Sequence, residues 1–182
     1  MSKKTTNITL DKKDVVVREL NQAIRMFFHN EDPICIHLLV CSANNILHSL
    51  MNANKQPILL GYNGLLQKIY IKKEFQEEFR KEFEMKRHDF YNFFKHAKKD
   101  VNKIIDFNPN LNIYFMFENL IFIKQLNIQF TKEMQYFYFW LYVSHRRFFI
   151  KNEEFDNEIL KYEFKDSEVY EYFDEFMNKN CL

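Results

Sequence analysis

Four side chains able to ligate a metal or move a proton fall at turn spacing in one stretch: His37, Cys41, Asn44 and His48. The i, i+4, i+7, i+11 pattern puts all four on one face of a helix. A closed zinc site needs a second ligand cluster, and the chain contains neither CxxC nor HExxH. The expectation is therefore a polar seam beside an apolar stripe, its imidazoles satisfied by neighbouring helices, with no metal and no cofactor.

A second constellation is His88, Asn92 and His96, again one turn apart, with Asp100 within reach of His96. Around it cluster Lys86, Arg87, Lys95, Lys98, Lys99 and Lys103. An imidazole for proton transfer beside cations that hold phosphates is chemistry suited to RNA. The competing reading is a solvated helix end, where cations complement the macrodipole. A third cluster, His145, Arg146, Arg147 and Lys151, reads as a surface patch, because adjacent arginines on a helix point to different faces. Gly61-Tyr62-Asn63-Gly64 is too short for a phosphate loop, and Glu153-Glu154 has no spacing that argues for glycosidase or metal chemistry.

The elements that carry these residues follow from composition. The chain has 182 residues with 47% hydrophobic and 28% charged, the balance of a folded globular protein and not of a disordered one. Only 2 Gly and 3 Pro are present, too few for the turns of a sandwich or barrel, so the elements must be long. Aromatics reach 18%, together with abundant Lys, Asn and Ile, which marks an AT-rich coding sequence more than an aromatic-lined site. A net charge of +1 provides no global field for polyanions, so such a site has to be local. Cys35, Cys41 and Cys181 are expected to be free thiols. The polar N-terminus has no apolar signal region, and the longest apolar run, Tyr136 to Val143, is far shorter than the about 20 residues that span a membrane. A cytoplasmic location without membrane contact is expected.

Periodicity predicts an all-α, up-and-down helical bundle. A tail over 1–9 is expected to be disordered, a bundle domain to cover 10–150, and a helical appendage to cover 151–182. The first helix should stop near Asn30, and Asp32 should cap a second helix running from Pro33 to about Met51. Residues 52–66 hold both glycines and read as loop. A third helix is predicted over 72–98, and Asp106-Phe107-Asn108-Pro109 should open a fourth that ends near Leu126. A fifth runs from about Thr131 to Phe149, with a strand as the competing reading of its aromatic core. A last helix is predicted from Ser167 to Met177.

Residues 20–50, LNQAIRMFFHNEDPICIHLLVCSANNILHSL, and 92–100, NFFKHAKKD, resemble an uncharacterised bacterial family of small helical proteins. In that family a DP-containing hairpin precedes an NFFKHA-x-D element. The likeness covers about the first 125 residues and implies a fold without a reaction. A weaker resemblance is to HEPN domains, helical bundles of which many are ribonucleases. Their motif is an Arg, usually followed by a polar residue, and a His about a turn further on. Asn92 and His96 match the polar residue and the His, but Tyr91 stands where the Arg would be, and Arg87 lies too far upstream. Because that Arg would stabilise the phosphate transition state, Lys95 or Arg87 would have to replace it for cleavage.

The resemblance implies an RNA-binding protein or a degenerate ribonuclease. His96 would be the general acid or base, Asn92 would orient it, and Lys95, Lys98, Lys99 and Arg87 would contact the nucleic acid. The alternative is a non-catalytic protein-interaction module, a homodimer.

Overall fold

The computed structural model of the chain describes residues 7–56, 71–77, 90–96, 102–150 and 169–178. It is an all-α bundle. The helices are α1 (Lys12–Phe28), α2 (Pro33–Ala53), α3 (Leu111–Gln125), α4 (Lys132–Ser144) and α5 (Val169–Asn178). Among the described residues the only extended pairing is a single antiparallel bridge between Ile71 and Phe149.

Helix starts are written in side-chain oxygens. The Asp11 carboxylate accepts the Asp14 N–H at 2.8 Å while Asp14 accepts from the Asp11 N–H, a reciprocal capping box at the start of α1. Asp32 accepts from the Ile34 N–H at 2.8 Å with Pro33 at the first turn of α2. At α3 the Asn108 carboxamide oxygen takes the Asn110 N–H, and Leu111 N–H reaches the Asn108 carbonyl, so the predicted capping segment does open the helix. Thr131 caps α4 through Met134 N–H and donates its own hydroxyl to Asn21 of α1 at 2.7 Å.

Helix ends are closed without glycine. Asn30, Lys55 and Asn127 each adopt φ 52°, the left-handed region. The following N–H turns back onto a carbonyl five residues earlier, Glu31 to Met26, Gln56 to Met51 and Ile128 to Ile123. These are three Schellman motifs, and they satisfy carbonyls that the helix itself leaves unbonded.

Contact register fixes helix directions. Short turns make α1–α2 and α3–α4 antiparallel neighbours, and α1 packs extensively on α2. Across α1 and α4, Asn21 meets Thr131, Arg25 pairs with Glu133 and Phe28 meets Tyr136, so both residue numbers rise together and the helices run parallel. α2 and α3 are parallel as well, His37 meeting Asn112 and Asn44 meeting Asn119, and residues 54–110 separate them in the sequence. Of the predicted third helix, residues 73–75 form a 3₁₀ turn, 76–77 and 90–95 are helical, 72 and 96 are not, and 78–89 and 97–98 lie outside the described residues.

The aromatic fifth helix is a helix and no strand, but it ends at Ser144, short of the predicted Phe149. A 3₁₀ turn over Arg146–Phe148 follows, and Phe149 enters the bridge to Ile71. Phe28, fully buried, is the hub of the core: its ring stacks on Phe173 of α5 at 4.7 Å and meets Tyr136 and Trp140 edge-on. α2 has the length and hydropathy of a membrane-crossing helix. In this fold those apolar positions face α1 and α3, and the same helix buries His37 and Asn44.

Candidate functional site

The His37 face of α2 is the polar seam that its spacing predicted. His37 is fully buried, and Cys41 and Asn44 nearly so. Their partners come from α3, where Asn112, Glu118 and Asn119 are equally buried. His37 Nδ1 lies 2.8 Å from Asn112 Oδ1, and Asn112 Nδ2 donates to the Pro33 carbonyl at 2.9 Å. One heptad later Asn119 Nδ2 donates to the Val40 carbonyl at 2.9 Å, and its Oδ1 accepts from Asn44 Nδ2 at 2.8 Å. The second Asn44 N–H goes to Glu118 Oε2, also at 2.8 Å. Each α3 asparagine thus donates to a carbonyl of α2 and accepts from the α2 side chain one turn further on.

The tautomer of His37 follows from donor and acceptor counting. The Pro33 carbonyl can only accept, which turns the Asn112 oxygen toward the imidazole, so Nδ1 carries the proton. Nε2 is then the acceptor facing the Cys41 thiol, 3.4 Å away. Burial pushes the His37 pKa below the ordinary imidazole range, partly offset by the bond to Asn112. Rings of Phe90, Phe94, Phe107 and Phe115 surround it edge-on. A neutral imidazole sealed by phenylalanines and bonded at both nitrogens is a structural group. Among the described residues no three His, Cys, Asp or Glu side chains are placed to hold a metal ion. His48, last of the four, is half-buried against the Phe122 ring and takes no part in the Asn112 and Asn119 pairings.

The same phenylalanines position the second constellation. Phe90 and Phe94 pin the helical turn 90–95 onto His37, leaving Asn92, Lys95 and His96 exposed on the outside. The His96 N–H bonds the Asn92 carbonyl at 2.9 Å, which sets the two residues one turn apart. The Lys95 ammonium sits 3.0 Å from the Tyr91 hydroxyl and 5.1 Å from the centre of its ring. His37 and His96 do not share a site, since one is sealed and the other exposed. Arg87, His88, Lys98 and Lys99 lie outside the described residues.

The third cluster does gather cations, and from two parts of the chain. The bridge between Ile71 and Phe149 brings Lys72 opposite Phe148, with Lys72 N–H bonded to the Phe148 carbonyl at 2.8 Å. The Arg147 guanidinium lies over the Phe148 ring, 4.5 Å from its centre. Phe75 meets that ring edge-on and His145 stacks on it at 6.2 Å. Burial, reinforced by the Arg147 charge, lowers the His145 pKa. A cavity of about 10 Å³ beneath, lined by Ile113, Phe117, His145 and Phe149 among others, has room for one water at most.

Sequence reasoning missed Asn112, Glu118 and Asn119, and one signal could have found them. Asn112 and Asn119 are seven residues apart in an otherwise apolar helix, the spacing of His37 and Asn44. Comparison of the chain with protein-family models, with characterised proteins and with solved structures finds no match.

Proposed function

We propose that the chain is a HEPN-like helical protein that binds RNA in the cytoplasm and does not cleave it. The observation that carries this reading is the exposed trio Asn92, Lys95 and His96, held on one turn whose opposite face is anchored by Phe90 and Phe94 to buried His37. An anchored turn keeps a cation and two hydrogen-bonding groups in fixed relation, which favours phosphate and sugar contacts. In the sequence Lys98 and Lys99 follow after Ala97. Against cleavage stands Tyr91, at the position where the resembled motif has its arginine: a phenol paired with Lys95 does not supply a guanidinium to a phosphate transition state.

The test is binding of a fluorescent single-stranded RNA across a salt series, with intact RNA recovered afterwards. The wild type should bind with an affinity that falls steeply with salt. Lys95→Ala should reduce the slope of log K against log salt by about 0.7 for its one phosphate contact. Salt-insensitive or absent RNA binding sinks the reading. Cleavage that His96→Ala abolishes would replace it with the ribonuclease.

A further inference from the structure

We infer that the junction of Lys72 and Lys73 with Phe148 and Arg147 is a contact surface for single-stranded RNA, at which Arg147 stacks an unpaired base and the lysines hold the flanking phosphates. This rests on the RNA-binding reading and deepens it by naming a second contact and the strandedness of the ligand.

The argument begins with the backbone. The isolated bridge buries Ile71 and Phe149, and the Lys72 N–H bonded to the Phe148 carbonyl joins the two segments at the end of the 3₁₀ turn, where Phe148 is half-buried with its ring also lining the cavity. Phe148 is fixed by Phe75 on its edge and His145 on one face. Arg147 is exposed, and its guanidinium carbon lies over the ring, 4.5 Å from the centre. A planar cation with one face on an aromatic ring presents its other face to solvent, and that face suits the π-surface of a base. Stacking there requires a base free of its duplex neighbours. Lys73 is exposed and Lys72 half-buried, and the Lys72 backbone is bonded to that of Phe148.

Charge is compatible with an anionic strand. Lys72, Lys73, Arg146 and Arg147 stand against Glu74 and Glu77 in the described residues of the two segments. The cavity beneath, about 10 Å³, is too small for a nucleotide, so the ligand has to lie across the surface. A small phosphate ion would use the lysines but not the guanidinium plane. A lipid headgroup would use the charges without distinguishing arginine from lysine at position 147.

The experiment uses the full chain and a 5′-fluorescein-labelled mixed-sequence single-stranded RNA, followed by anisotropy at several salt concentrations. The Lys72→Ala/Arg147→Ala variant should bind at least about tenfold more weakly, with the salt slope reduced by about 0.7 for the lost phosphate contact of Lys72. Arg147→Lys retains charge and loses the plane, so it should keep the slope yet bind about fivefold more weakly. A hairpin duplex of equal charge should compete poorly. Wild-type circular dichroism and urea midpoint for both variants exclude misfolding as the cause. If the wild type binds RNA and both variants match it, this surface is overturned while the general reading stands. If Arg147→Lys binds as tightly as the wild type, or the duplex competes as well as the single strand, the stacking assignment is overturned. Absence of salt-sensitive RNA binding by the wild type, including a case in which only phosphatidylserine vesicles bind, overturns both.

Discussion

His37 Nδ1 and Asn112 Oδ1, 75 positions apart in the chain, meet at 2.8 Å in the buried space between α2 and α3. The bond fixes one neutral tautomer and ties the two parallel helices at the level where Phe90 and Phe94 close over them. Protonation of this imidazole would leave Nε2–H facing a thiol and place a charge among four phenyl rings, which burial opposes.

Stability should consequently fall in mild acid. A histidine whose folded pKa lies below its unfolded value, about 6.5, binds fewer protons in the native state. Its contribution is intact above about pH 6.5 and is lost as the pH drops through and below that value. His145 is shifted in the same direction and adds to the effect. Glu19, whose carboxyl burial pushes upward, acts with the opposite sign, favouring the fold as pH falls toward the ordinary carboxylate range. Urea unfolding of the wild type and His37→Leu at pH 7.5 and 5.5 isolates the His37 share as the difference between the two slopes. Parallel pH dependence in both proteins would refute it.

Asn112→Ala and Asn119→Ala should each cost about 1–3 kcal/mol, because each takes the acceptor from a buried donor, the His37 Nδ1–H or an Asn44 N–H, and removes a second bond to an α2 carbonyl. Asn44→Asp should be worse than Asn44→Leu, since it sets a second carboxylate against Glu118. Adding Glu118→Gln to Asn44→Asp should recover a measurable part of the loss. Chemical denaturation of the wild type, Asn44→Asp, Glu118→Gln and the double variant gives the coupling directly.

Lys55 holds φ 52° at the end of α2 without the side-chain bonds that make asparagine tolerant of that region. Lys55→Gly should stabilise the fold by about 0.5–1 kcal/mol, read as a higher urea midpoint at unchanged slope. The same change at Asn127 or Asn30 should yield less.

α5 is held by its aromatic anchor more than by its ion pair. Phe173 is buried against Phe28 and Tyr136, and Phe173→Ala should cost about 3–5 kcal/mol of whatever stability α5 shares with the bundle. His29 bonds Asp174 at 3.0 Å, but both side chains are about half exposed, at 44% and 58%. His29→Gln should therefore alter amide exchange over 169–178 only slightly, whereas Phe173→Ala should collapse its protection. Equal effects of the two changes would contradict this ranking.

The sequence announced the bundle because helix starts depend on residues with local meaning. Asp32 with Pro33, and Thr131, cap where their chemistry says they should, while Asn108-Pro109 falls just ahead of α3, whose N-cap is Asn110. The ends of α1, α2 and α3 were legible to within two residues, although Asn30, Lys55 and Asn127 do there the work usually assigned to glycine. The end of α4 was placed too far along because hydrophobicity continues through Phe148 and Phe149, although those rings serve a turn and a bridge. The seam on α2 was legible from one helix alone as a polar face. Its partners were not, because pairing depends on which distant helix lies alongside. The pairing of Lys72 with Phe148 was invisible for the same reason.

The translational sameness of the two asparagine pairings has one further consequence. Sliding α3 forward by a heptad would hand Asn112 the Val40 and Asn44 partners, but it would set Asn119 opposite Leu47 and Met51 and abandon His37. Sliding it back would carry Asn112 past the first turn of α2. A periodic apolar interface tolerates such slips cheaply, and two unlike rungs on a ladder of finite length forbid them, so the seam acts as a vernier that admits a single alignment.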